Sequence, residues 1–208
     1  MEKYGLQSAE YIKCLFIDYL LSRSKELIIG NELMYGIKRK VVDLVVIQDH
    51  KIIAVEIKSD SDNLCRLEEQ ISEYKKIFDY VLIVTTEKHI NRICEIVSSE
   101  VGVYFFNENF LLKKCKNPRV EKKKDKVEML YSINAKYLYR LEGFPPSKYD
   151  ADEIRQVYAK RRISHIQEIL LTYLTQKYKD RYALFKSERG TLTHIEDLSL
   201  LSSSFQIE

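Results

Sequence analysis

The chain has 208 residues, 45% apolar and 31% charged, with only six glycines and three prolines; this excludes a disordered or collagen-like chain and allows one ordinary domain plus an appendage. No apolar run approaches the ~20 residues that cross a bilayer, and the opening Met1-Glu2-Lys3-Tyr4-Gly5 carries an acid and no apolar segment of a signal peptide. The net charge of +3 conceals an uneven distribution, with 14 Lys and Arg against 18 Asp and Glu in residues 1–110, 7 against 2 in residues 111–125, and 13 against 11 in residues 126–208.

Ser8 to Ser24 has helical spacing, with Tyr11, Ile12, Leu15, Phe16, Tyr19 and Leu20 in one apolar stripe and Ser8 as its cap. Residues 26–32 form a short apolar run that Gly30-Asn31 ends. Val41 to Ile47 and Lys51 to Lys58 are then two runs rich in β-branched residues about a polar turn, which predicts a hairpin. Each run carries one acid foreign to an apolar strand, Asp43 and Glu56, and buried charges are costly unless paired or bound to metal. With the turn centred between Asp49 and His50, paired residues have numbers that sum to 99, which sets Asp43 opposite Glu56. Directly opposed Cβ atoms lie about 4.5–5.5 Å apart. Two carboxylates at that separation repel, and a divalent cation between them makes the pair favourable. Strand alternation puts Lys58 on the face of Glu56.

Asp43, followed by Glu56-Ile57-Lys58, resembles the signature of the PD-(D/E)xK, or restriction-endonuclease-like, nucleases. The continuation from Ser59 to Tyr74 resembles a small bacterial and phage branch of that superfamily, and the likeness covers roughly residues 32–89. Val42 stands where the motif has proline, and Val41 stands where a basic residue is expected, with Arg39 and Lys40 just upstream. The resemblance implies an α/β fold, a central mixed sheet flanked by helices. It also implies Asp43 and Glu56 as ligands of Mg²⁺ or Mn²⁺, joined by the carbonyl of Ile57. A glutamate before the hairpin completes the metal shell in such folds; Glu32 is the candidate, with Glu26 and Glu10 as competitors and a plain surface acid as the bland alternative.

Beyond the hairpin, Asp62 or Ser61 is placed to cap a helix running to about Phe78, with the apolar stripe Leu64, Leu67, Ile71, Tyr74 and Phe78. Asp62, Arg66, Gln70 and Tyr74 stack on a neighbouring side at intervals of four. Gln70 and Tyr74 match a QxxxY pattern of several nuclease branches, in which the helix faces the phosphate and the attacking water. Tyr74 taken alone reads more simply as core. Tyr80 to Thr85 is a fully buried strand, residues 89–98 a helix, Val101 to Phe106 a strand and Phe110 to Leu112 one more. The lone histidines His50 and His89 read as surface. The four cysteines, at 14, 65, 94 and 115, are dispersed and predict a reduced cytoplasmic protein without a zinc site.

Residues 1–115 are expected to form the nuclease-like core, 116–128 a basic linker or edge loop, and 129–208 a helical C-terminal region. In the last, Gly143-Phe144-Pro145-Pro146 breaks the apolar pattern, Asp150 caps one helix, and Ser164 to Gln167 has capping-box form. Lys160, Arg161 and Arg162 beside Tyr158 suit phosphates and unpaired bases, or an ordinary solvated helix end.

The expected activity is metal-assisted hydrolysis of nucleic acid, with DNA as the expected substrate and no membrane partner. Asp43 and Glu56 hold the ion, Lys58 orients or activates the attacking water, and Gln70 with Arg66 and Tyr74 contacts the phosphate. The alternatives are a nuclease fold that only binds DNA or a partner, and an enzyme that cleaves RNA. Retention of both acids and the lysine favours cleavage, since a retired site usually loses one of them. A homodimer is left open.

Overall fold

Ser8 accepts a hydrogen bond from the Tyr11 N–H at 3.2 Å, satisfying one of the free donors of a helix start, and α1 (Ala9–Arg23) follows. The structure, a computed structural model, describes residues 5–145 and 150–202. Met1 to Tyr4 and Pro146, on which some of the expectations above fall, lie outside the described residues. Strands β1 (Leu27–Tyr35), β2 (Lys40–Gln48) and β3 (Lys51–Ile57) form an antiparallel meander. Helix α2 (Leu67–Lys75) leads to β4 (Tyr80–Thr86) and α3 (Ile90–Ile96) to β5 (Gly102–Phe106), each strand parallel to the one before. Parallel neighbours need long crossovers, and the two helices supply them. Strand β6 (Leu112–Lys116) closes the sheet antiparallel, giving six strands in chain order. This is the mixed, helix-flanked α/β sheet that was expected.

Asp49 and His50 both have positive φ, 49° and 57°, the turn geometry whose twist matches a right-handed hairpin. The pairs Gln48↔Lys51 through Leu44↔Val55 follow the register read from the sequence. Alternation then splits the core in two. Val45, Ile47, Ile52 and Ala54 face the side covered by α2, whereas Leu44, Val46 and Val55 face the side covered by α1.

The C-terminal helices are α4 (Lys126–Tyr131), α5 (Ala135–Glu142), α6 (Ala151–Ala159), α7 (Ile163–Glu188) and the short α8 (Leu198–Leu201). Leu130, Leu138, Ile154, Ile166 and Leu174 join the core on the α2 side; Tyr182, Phe185, Leu198 and Leu201 join the other. The sheet and these helices therefore share their apolar layers. Helix α7 crosses the edge strand at Gly30, where a Cβ would lie 2.4 Å from the Tyr178 ring. Among the described residues no helix is long and apolar enough to cross a membrane.

Several local expectations are corrected. Gly30-Asn31 does not end β1, because the glycine admits Tyr178 and the strand runs on to Tyr35. Asp62 caps no helix; it accepts from Ser59 N–H and Oγ at 2.7 and 2.5 Å, and α2 starts only at Leu67 behind Arg66, without a side-chain cap. Ser164 falls inside the first turn of α7, whose N-cap, Arg162, makes no side-chain cap bond. The last strand begins at Leu112, beyond a turn in which Phe110 has φ 57°. Cys94 and Cys115, far apart in sequence, bring their sulfurs to 3.3 Å. His50 is exposed as expected; His89 is half-buried, and its Nε2 has no hydrogen-bond partner among the described residues.

Candidate functional site

Glu32 and Asp43 mark the place where the first two strands change face. Before Glu32, Leu27 and Ile29 point to the α1 side; after it, Leu33 and Tyr35 point to the α2 side. The switch is made by Glu32 itself, at φ 55°, a left-handed conformation that non-glycine residues rarely hold. Leu33 pairs with Val42 and Asn31 with Leu44, so Asp43 lies opposite Glu32, and β2 changes face there too. Asp43 thus stands at a twist, half-exposed, and its Oδ2 accepts the Ile57 N–H at 2.8 Å. The β2–β3 ladder ends one step earlier, at Leu44↔Val55. Asp43 meets β3 through that backbone N–H next to Glu56.

Glu56 is 3% exposed and faces α2. Its Oε1 accepts from Lys58 Nζ at 2.7 Å and from Gln70 Nε2 at 2.6 Å, and Lys58 also donates to Gln70 Oε1 at 3.1 Å. The Tyr74 hydroxyl donates to Oε2. The spacing of four residues along α2 aims Gln70 and Tyr74 at the same carboxylate. Lys58 is held from behind: its N–H donates to Val84 C=O at 2.9 Å, and its own carbonyl accepts from Thr85 Oγ1 at 3.0 Å. The structure therefore brings Asp43, Glu56, Lys58 and Gln70 together. Tyr74 is fully buried, so it presents no face to a base; it orients Glu56, which corrects its expected role as a nucleic-acid contact. Burial and the Glu56 charge push its hydroxyl far above the ordinary tyrosine value, keeping it a donor.

A residue that was not expected from the sequence completes the cluster. Lys13 of α1 is 4% exposed. Its Nζ is 3.2 Å from Asn31 Oδ1 and 3.7 Å from both Glu32 Oε1 and Asp43 Oδ1. The available signal was its place three and four residues before the buried Phe16 and Ile17, inside the stripe that α1 turns to the sheet. Glu32, expected in a metal shell, has a side chain 59% exposed and turned to this ammonium. Glu26 and Glu10 are not drawn in, and Glu10 instead accepts from Ser8 Oγ at 2.9 Å.

Burial first, and the Glu56 charge second, push the Asp43 carboxyl up to about 6, against the opposing pull of Lys13, the Ile57 N–H and Lys58. Two acids are thus held close enough to oppose each other's ionisation. Among the described residues no group of three or more His, Cys, Asp or Glu forms a metal cluster. The donor set nevertheless fits one hard cation: among the described residues Asp43 Oδ2 accepts only the Ile57 N–H and Glu56 Oε2 only the Tyr74 hydroxyl, which leaves each carboxylate oxygen a further lone pair.

The remaining candidates are scattered. Arg66 is exposed at the start of α2, and Lys160 and Arg162 are exposed at the α6–α7 corner. Arg161 is committed there, stacked 4.5 Å over the Tyr158 ring, paired with Glu142 and 2.9 Å from His165 Nε2. A separate basic groove of about 710 Å³ lies between the end of α2 and residues 119–123. Lys75, Lys76, Arg119, Lys122 and Lys123 line it, with Glu100 and Glu121.

A solved structure of a protein of unknown function, SPO1766 from Silicibacter pomeroyi, is similar at a TM-score of 0.40 and 11% identity, over 91% of this chain and 98% of that one. Protein cII of Enterobacteria phage P4 is 28% identical over 93% of this chain and 77% of its own length. The match to the family described as Bacteriophage P4 protein cII runs from residue 3 to residue 202, taking in the sheet, the clustered site and the C-terminal helices alike, and the chain belongs to that family.

Proposed function

We propose that this protein is a metal-dependent nuclease of the PD-(D/E)xK kind, hydrolysing phosphodiester bonds of DNA in the cytoplasm. The observation that carries the proposal is the convergence of Asp43, Glu56, Lys58 and Gln70, from three separate elements, at the end of β3, with Glu56 and Lys58 buried and Asp43 partly exposed. Asp43 and Glu56, with the carbonyl of Ile57, would hold Mg²⁺ or Mn²⁺, which when bound polarises the phosphate and acidifies water. Lys58, fixed between Glu56 and Gln70, holds its side-chain nitrogen where the ammonium would orient the attacking water, or where the neutral amine would take the water's proton. Gln70 and Tyr74 hold the Glu56 carboxylate in one orientation, so that it meets the ion without rearranging. Arg66, exposed on the same helix, is placed to contact phosphate.

One observation favours the second possibility, a fold that binds nucleic acid without cutting it. Lys13 and Lys58 offset the charges of Asp43 and Glu56 and leave only the exposed Glu32 carboxylate in excess, so the buried part of the cluster can be neutral without metal. Incubation with plasmid, single-stranded DNA and RNA, in Mg²⁺, Mn²⁺ or EDTA, separates these cases. The nuclease proposal expects cleavage of DNA that needs the metal and falls at least a hundredfold in Lys58→Ala and Asp43→Ala. Undiminished cutting in EDTA or in either variant would reject it, and cleavage of RNA alone would change the substrate.

A further inference from the structure

The geometry points to Lys13 as a built-in replacement for a second metal ion, so that the site takes a single divalent cation per chain. This inference rests on the metal-dependent reading of the site and says how many ions that site admits. The ammonium is surrounded by three oxygens of the hard kind that select Mg²⁺, Mn²⁺ or Ca²⁺: an amide carbonyl from Asn31 at 3.2 Å, and carboxylates from Glu32 and Asp43 at 3.7 Å each. An ammonium has three protons and no acceptor, and here one oxygen stands near for each.

Two-ion phosphodiester sites set their metals about 3.5–4 Å apart with a carboxylate between them. Asp43 is the group suited to that bridging role, since its Oδ2 is directed to β3 and its Oδ1 to Lys13. The side of Asp43 away from Glu56 is therefore already filled by a positive charge. A second divalent ion would have to displace Lys13 or lie beside it in poor solvent screening, where repulsion is strong. Displacement is blocked, because the side chain is 6% exposed and α1 is locked to the sheet by Ile12, Phe16 and Ile17. Glu32 points the same way. A non-glycine residue held at φ 55° inside a strand is retained against its own backbone preference, and the conformation delivers its carboxylate to Lys13.

The test counts ions. Mn²⁺ titrations of the full chain, read by electron paramagnetic resonance of free Mn²⁺ and by equilibrium dialysis, are run on the native protein, Lys13→Gln and Lys13→Glu, with circular dichroism melts to confirm folding. One Mn²⁺ per native chain is expected. Lys13→Glu, which offers a further carboxylate beside Asn31, Glu32 and Asp43, should bind two. Lys13→Gln, nearly the same length and uncharged, should bind the first ion roughly tenfold tighter because the nearby positive charge is gone. Two ions in the native chain, or an unchanged first affinity in folded Lys13→Gln, would overturn the role of Lys13 while leaving the nuclease proposal standing. No Mn²⁺ in the native chain would overturn both. One ion with no cleavage of any nucleic acid would uphold this inference and remove the nuclease activity.

Discussion

At the scale of single residues, Asp43 makes the site costly to fold. Its carboxyl is pushed up to about 6 by burial and by Glu56, above the ~3.9 of an unfolded chain. Between those values the folded state binds more protons than the unfolded one, so this contribution to stability is complete below about pH 4 and is lost as pH rises through 6. A rise from about 4 to about 6 corresponds to about 3 kcal/mol, and with the side chain 30% exposed water lowers that to roughly 2 kcal/mol. Asp43→Asn keeps an oxygen for the Ile57 N–H and removes the charge. Urea melts from pH 4 to 8 should show the variant more stable than the native protein by about 2 kcal/mol above pH 6 and equal to it near pH 4. A variant that loses stability across the whole range would show that Asp43 contributes more through Lys13 than it costs through Glu56.

Packing between elements explains which parts of the fold were legible. The hairpin could be read because its signals are local: a turn at Asp49-His50, β-branched flanks and a register fixed by chain arithmetic. Gly30 could not, since its reason lies 148 residues away in sequence, in the Tyr178 ring that rests where a Cβ would be. A Gly-Asn pair reads as a stop unless a helix is known to press on it. Lys13 was hidden for a related cause: a lysine on an amphipathic helix is normally solvated, and only the fold shows Asn31 and Asp43 waiting beneath it. Asp43, Glu56, Lys58 and Gln70 were visible because their oddity, polar groups among β-branched residues or at helix spacing after them, is written within one short stretch. Cys94 and Cys115 meet only because β6 pairs back beside α3. The α7–β1 contact itself can be tested. Gly30→Ala should destabilise the protein by about 1–3 kcal/mol, the usual cost of overfilling a packed site. Adding Tyr178→Leu should make the pair less harmful than the two single losses combined, by at least about 1 kcal/mol in a double-mutant cycle. Additive losses would place the strain elsewhere.

Over the whole molecule, charge is distributed unevenly, and the proposed nuclease activity would require an acidic region to attract a polyanion. The first 110 residues carry 18 acids against 14 bases, and such a field repels nucleic acid unless positive charge is concentrated nearby. The concentration lies in residues 119–123 and the end of α2. Of the lysine run there, Lys124 turns inward, donates to the Phe78 carbonyl and is pushed down to about 8 by burial, while Lys122 and Lys123 stay exposed. Among the described residues the side chains of Arg119, Lys122 and Lys123 make no ion pair, whereas Arg161 at the α6–α7 corner is engaged with Glu142 and Tyr158. Lys75 and Lys76 are themselves paired with Glu73, Glu100, Glu121 and Glu128. The groove thus offers Arg119, Lys122 and Lys123 against Lys160 and Arg162 at the corner, and is the better supplied of the two by one cation. Helix α2, with nine residues and about 14 Å of length, carries Gln70 towards the site and Lys75 and Lys76 into the groove, a span that a few nucleotides can cover. Fluorescence anisotropy with a labelled oligonucleotide in EDTA, where nothing is cut, compares the surfaces directly. Lys122→Glu with Lys123→Glu should weaken binding at least tenfold and flatten its salt dependence by about 0.7–0.9 per lost phosphate contact. Lys160→Glu with Arg162→Glu, the same change of charge, should weaken it less than threefold. The reverse order would move the nucleic acid to the C-terminal helices and leave the groove as an ordinary solvated surface.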